Sequence, residues 1–161
     1  MSVNDILLKE LLKESVKKCY DDDFTLIKRA MEQSSVARIF HYMQTLIDTD
    51  GRYECLRQYN LDCEYNKNGE GKKGTSNCPN GTKPDLTLHE RESNENNLLI
   101  VEFKSRKSKG KKVNVLNKYK DEVKLEDFTS PIDYDYQLGV WVKLNLKEPQ
   151  FIYFKGGTKC N

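Results

Sequence analysis

No long uninterrupted apolar run occurs in this chain. Lys9, Glu10, Lys13 and Glu14 interrupt the first twenty residues, so neither a signal-peptide core nor a membrane span is legible, and a cytoplasmic protein without a membrane partner is expected. A charge imbalance is also lacking: 27 Lys and Arg against 25 Asp and Glu leave +2, with 32% charged residues and a mean hydropathy of -0.80. Total charge therefore neither demands nor excludes a polyanionic partner. Histidine is scarce, only His41 and His89, and the five cysteines (Cys19, Cys55, Cys63, Cys78, Cys160) contain no Cys-x-x-Cys. That disfavours a zinc site or a disulfide framework, and reduced cysteines are expected. No internal repeat is evident. The 161 residues suffice for one domain with a real core, residues 1 to 161, and leave little room for a second.

Val3, Ile6, Leu7, Leu11, Val16 and Cys19 recur at roughly helical spacing, with Ser2 or Asn4 available as N-cap. This predicts an amphipathic docking helix over residues 1 to 22. Asp21, Asp22 and Asp23 then break the pattern. Consecutive side chains diverge, so a solvated linker capping the next helix is expected there, not a metal site. From Val36 the series Val36, Ile39, Phe40, Met43, Leu46 and Ile47 marks one buried helical face. If that helix is continuous from about Phe24, Glu32 extends the stripe and points toward the sheet. If Ser34 or Ser35 caps a new helix, it does not.

Leu61, Cys63 and Tyr65 alternate with Asp62, Glu64 and Asn66 and predict a strand. The glycine-rich, polar stretch that follows, residues 67 to 83, reads as a flexible loop insertion. Asp85 to Glu90 and Leu98 to Lys104 then form an expected antiparallel hairpin around a polar turn. With the turn centred between Ser93 and Asn94, Asp85 falls opposite Glu102, on the same face, with Cβ atoms about 5 Å apart. A one-residue slip would put Asp85 on the other face. Leu98 to Val101 is apolar on both faces, as in a central strand covered by helices on either side. A helix through Val113, Leu116, Tyr119 and Val123 crosses over to a parallel strand at Tyr136 to Leu144. Phe151 to Phe154, after Pro149, makes a last short strand.

A buried strand ending in an acid and a lysine requires partners, because an unpaired buried charge is costly. Asp85 and Glu102 are hard oxygen donors suited to Mg²⁺ or Mn²⁺, with the Phe103 carbonyl and waters completing the shell. Lys104 shares the Glu102 face and could position a water or meet developing negative charge. The plain alternative is a solvated or salt-bridged Glu-Lys pair at a strand end. Arg106, Lys107, Lys109, Lys111 and Lys112 follow directly and are candidates for phosphate contact, or for a solvated loop. His89, about 13 Å along the strand from Asp85, should pack or hydrogen-bond. Trp141, Tyr134 and Tyr136 read as core residues.

The order of Asp62-Cys63-Glu64-Tyr65-Asn66, Pro84-Asp85, Glu102-Phe103-Lys104 and Tyr136-Gln137-Leu138-Gly139-Val140 resembles the PD-(D/E)xK nuclease superfamily, over roughly residues 30 to 155. In particular it resembles an uncharacterised bacterial and phage group within it. The resemblance implies an α/β, restriction-endonuclease-like mixed central sheet flanked by helices, with an αβββαβ core and an extra N-terminal helix. It implies metal-dependent cleavage of nucleic acid, DNA in preference to RNA. Asp85, Glu102 and Lys104 match the motif, Glu32 matches an acid from the first core helix, Glu64 competes for that role, and Gln137 is a further site candidate. A nuclease-fold module that binds nucleic acid or protein without catalysis is the alternative.

Overall fold

The computed structural model describes residues 3–68, 71–106 and 115–160. Helix α1 (Asp5–Asp22) starts where the Asn4 side chain accepts from the Leu7 N–H at 3.0 Å, and buries Leu7, Leu8, Leu11, Leu12, Val16 and Cys19 along one face. The acidic run behaves differently from expectation. Asp21 and Asp22 stay helical, and Asp23 makes no side-chain cap on α2 (Phe24–Lys28). Its carboxylate instead accepts from Arg38 Nε at 2.7 Å and the Tyr42 hydroxyl at 2.6 Å, tying the linker to α3 (Glu32–Thr49). Between α2 and α3 the chain turns at Ala30, whose φ of 56° no helix continues through. The break thus falls earlier than Ser34-Ser35, and Glu32 opens α3. Beyond it Val36, Ile39, Met43, Leu46 and Ile47 are buried as the spacing predicts.

A 3₁₀ turn (Gly51–Leu56) leads to a six-stranded mixed sheet. Its strands are β1 (Asn60–Cys63), β4 (Leu86–His89), β5 (Asn97–Ser105), β6 (Leu138–Leu144), β7 (Gln150–Lys155) and β8 (Thr158–Lys159), side by side in that order. Neighbours pair antiparallel except β5 with β6, which run parallel across the connection through α4 (Val115–Thr129). One face of the sheet, through Leu86, Leu88, Leu99, Val101, Phe103, Val140 and Val142, packs on α1 and α3. The other, through Ile100, Trp141 and Phe154, packs with Leu125 and Phe128 of α4 and with Tyr134 and Tyr136. Both faces of β5 are therefore covered, which is what its apolar run demands. No helix among the described residues is long and apolar enough to cross a membrane. All five cysteines are free thiols.

Residues 67–83 depart from the loop expected there. Lys67–Asn68 (β2) and Gly71–Lys72 (β3) pair as a small antiparallel hairpin, and Lys73 and Thr75 are buried. The rest forms a strap pinned to the far side of the sheet: the Asp127 carboxylate accepts from the Thr75 hydroxyl at 2.6 Å and from the Asn77 backbone and side-chain amides. Asp133 likewise takes the Ser76 N–H and hydroxyl. Two distant aspartates supply the order that the local composition does not encode.

Candidate functional site

The register that places the site is Leu86 opposite Val101, the last pair of the β4–β5 ladder at this end. Asp85 and Glu102 come just beyond it, near enough for Asp85 to push the Glu102 pKa up, but Asp85 lines the cleft on the α3 side and Glu102 meets α4. A bulge between Leu88 and His89 lies on the turn side and leaves the pairs Leu86–Val101, Thr87–Ile100 and Leu88–Leu99 in the expected register. β5 continues through Ser105, whereas β4 begins only at Leu86, after the buried Pro84, which has no N–H. Residues 102 to 105 are paired with β6 on one side, and among the described residues no strand pairs with them on the other. Two carboxylates take the vacated donors: Asp85 Oδ2 accepts from the Phe103 N–H at 2.6 Å, and Glu32 Oε2 from the Ser105 N–H at 2.6 Å. Glu32 therefore does reach the sheet, but from the first turn of α3 and not as part of a continuous core stripe.

Glu102 and Lys104 lie on the α4 side. Glu102 is 4% exposed, and its Oε1 accepts from Lys124 Nζ at 2.8 Å; the same ammonium lies 3.4 Å from the Lys83 carbonyl. Lys104 Nζ stands 3.2 Å from Asp121 Oδ2. Asp121 and Lys124 are thus a pair of counter-charges, three residues apart on one helix, set against an acid and a lysine two apart on one strand. Burial pushes the Glu102 carboxyl up to about 8; Lys124 opposes this, and Asp85 and Asp121 add to it. Burial also raises Asp85, against the Phe103 N–H and Lys124. For Lys104 burial acts the other way, yet Asp121, Glu32 and Asp85 around it raise its pKa overall.

Two open clefts flank this strand end. On the α3 side Glu32, Gln33, Val36, Cys63, Glu64 and Asp85 line about 410 Å³. On the α4 side Asn77, Cys78, Lys120, Asp121 and Lys124 line about 450 Å³. Glu32 and Glu64 both line the Asp85 cleft. Glu64 is exposed at the end of β1, at φ 51°, with Lys83 Nζ 4.0 Å from its carboxylate.

Other candidates sit elsewhere. Gln137 precedes β6, whose Leu138 pairs with Leu99 while Trp141 pairs with Glu102, so the glutamine is at the opposite end of the sheet. Its amide donates to Asp5 Oδ1 at 2.9 Å and serves α1. Arg106 donates to the Lys28 carbonyl at the end of α2. Lys107, Lys109, Lys111 and Lys112 lie outside the described residues. His89 hydrogen-bonds Asp62 at 3.1 Å, and Trp141, Tyr134 and Tyr136 are buried, as expected. The residues that sequence reading missed are Asp121 and Lys124. They precede the buried Leu125 and Phe128 by four residues each, so the same helical spacing that buries those two carried the signal.

Among the described residues no three His, Cys, Asp or Glu side chains converge as a ready-made metal cage. The donor chemistry still fits a hard cation. Mg²⁺ is commonly held by one or two carboxylates with water filling the shell, and Asp85 is near enough to Glu102 to push its carboxyl pKa up. Neither a family model nor a curated protein matches this sequence.

Proposed function

We propose that this protein is a metal-dependent nuclease of the PD-(D/E)xK type, built on a restriction-endonuclease-like fold and hydrolysing phosphodiester bonds in nucleic acid, DNA in preference to RNA. The observation that supports the reading is the gathering of Asp85, which accepts from the Phe103 N–H, with Glu102 and Lys104 at the end of β5 beyond its pairs with β4. Asp85 and Glu102 would hold Mg²⁺ or Mn²⁺, with the Phe103 carbonyl as a further donor. Such an ion supplies Lewis acidity at the phosphate and a more acidic water. Lys104 orients the attacking water or offsets charge developing on the phosphate, and Asp121 steers its ammonium. Glu32 fixes the end of β5 through Ser105, which keeps Glu102 and Lys104 in place.

A second reading, a nucleic-acid-binding or protein-binding module without catalysis, draws on one observation: Glu102 and Lys104 each already have a partner on α4. Mn²⁺ binding followed by electron paramagnetic resonance, with a cleavage assay on single- and double-stranded DNA and RNA, separates the two. The nuclease reading expects binding lost in Asp85→Ala and in Glu102→Ala, and cleavage lost with Mn²⁺ retained in Lys104→Ala. Binding that survives both carboxylate changes, or a wild-type protein that binds no Mn²⁺, overturns the site. Undiminished cleavage by Lys104→Ala removes the lysine from the mechanism.

A further inference from the structure

Lys124 belongs both to the candidate site and to the cleft on its α4 side. Its ammonium donates to Glu102 Oε1 at 2.8 Å and lies 3.4 Å from the Lys83 carbonyl, while its side chain, 16% exposed, lines the cleft. Lys120, one turn earlier on α4, lines the same cleft and is exposed. The two clefts beside the strand end differ in charge. Glu32, Glu64 and Asp85 line the α3-side cleft, with no lysine or arginine among its lining residues. The α4-side cleft is lined by Lys120, Lys124 and Asp121, and Lys104 stands 3.2 Å from the Asp121 carboxylate. A polyanion is repelled by the first and drawn to the second.

A lysine ammonium carries three donors on a flexible four-carbon stem, and Glu102 takes one of those of Lys124. A half-sunk ammonium that loses its carboxylate partner needs another anion, because an unpaired charge away from water is costly. The cleft that Lys124 already lines is where such an anion reaches it.

We propose that the α4-side cleft takes the phosphodiester backbone of nucleic acid, with Lys120 as a standing phosphate contact and Lys124 as a second contact that Glu102 holds back. Glu102 and the backbone compete for one ammonium, so loss of the Glu102 charge strengthens the grip on nucleic acid, and by reciprocity bound nucleic acid loosens the Glu102–Lys124 pair. The choice of a phosphodiester rests on the nucleic-acid reading above; the competition rests on the placement of Lys124.

Fluorescence anisotropy with a short labelled DNA duplex in EDTA, over a series of salt concentrations, tests this in the full chain without metal. Glu102→Gln should bind several-fold tighter than wild type, and its plot of log K against log salt should steepen by about 0.9, the mark of one added phosphate contact. Lys124→Met alone should keep the wild-type slope, and the double variant Glu102→Gln with Lys124→Met should lose the gain. Lys120→Met, at an exposed position, should flatten the slope by about the same amount in either background, which keeps the question answerable if Glu102→Gln does not fold. A gain that persists in the double variant is a through-space effect of the lost carboxylate and overturns the proposal. An unaltered slope in Glu102→Gln or in Lys120→Met, or a wild type that binds no duplex, overturns it equally. Mn²⁺ binding and cleavage decide the nuclease reading separately: a chain that cleaves but fails here loses only this inference, and one that passes here but binds no Mn²⁺ loses only the nuclease reading.

Discussion

At Glu102 a buried carboxylate meets one ammonium, and the identity of that ammonium is the residue-scale surprise. Lys104, two positions along the same strand, turns to Asp121, and Lys124 from the facing helix takes Glu102. A lysine held against a carboxylate stands where a dication would draw the same oxygens, so the two compete. Lys124→Met should lower the Kd for Mn²⁺ by about 3–10-fold, a gain of roughly 0.7–1.4 kcal/mol, measured at pH 9 to favour the ionised form of Glu102. Unchanged or weaker binding would assign Lys124 a purely structural role. Glu32 makes a related point. Its approach to the sheet was legible only as one of two helix boundaries, and the boundary lies at neither. Ala30 in the left-handed region sets it, a conformation for which a neutral alanine gives no local signal.

Among the elements, the length mismatch between β4 and β5 creates the candidate site, because it leaves two N–H groups for Asp85 and Glu32 to take. The hairpin register was readable from the turn, and the α4 crossover from the apolar strands on either side. Of the residues that marked this helix in the sequence, Val123 is half-buried, while Val113 and the side chains of Leu116 and Tyr119 lie outside the described residues; further along α4, Leu125 and Phe128 are buried. Close approach of α4 to β6 depends on Gly139, where an added Cβ would stand 2.8 Å from Thr129 Cγ2 and 3.2 Å from Phe154 Cβ. Gly139→Ala should therefore cost about 1–3 kcal/mol by overpacking, read from the urea midpoint. A variant as stable as wild type would mean that α4 shifts freely, which would also disturb the Lys104–Asp121 and Glu102–Lys124 pairs.

For the molecule as a whole, α1 is an amphipathic helix docked on α3 and the sheet as a layer of the core. Leu8, Leu11, Leu12, Val16 and Cys19 are each no more than 1% exposed, in one apolar cluster with α3 and the sheet. At about 1.5–3 kcal/mol per large apolar side chain their burial is on the order of 10 kcal/mol, comparable with the net stability of an ordinary domain. Removing residues 1 to 22 should abolish the cooperative thermal transition seen by circular dichroism, and Leu11→Ala alone should cost about 2–5 kcal/mol. A truncated chain that still melts cooperatively would mean that α1 docks on a core complete without it. What the sequence determined by itself was the first and third helices, the strands β1 and β4 to β7, the two-sided burial of β5 and the register that sets Leu86 against Val101, because periodicity and turn position are local properties of the chain. Only the tertiary structure decided that Asp121 and Lys124 pair with Lys104 and Glu102, that Gln137 belongs to α1, and that Asp127 and Asp133 order the strap. Those partners are brought together by the packing of helix on sheet, and a charged side chain's choice among several opposite charges depends on distance and burial, which no spacing along the chain encodes.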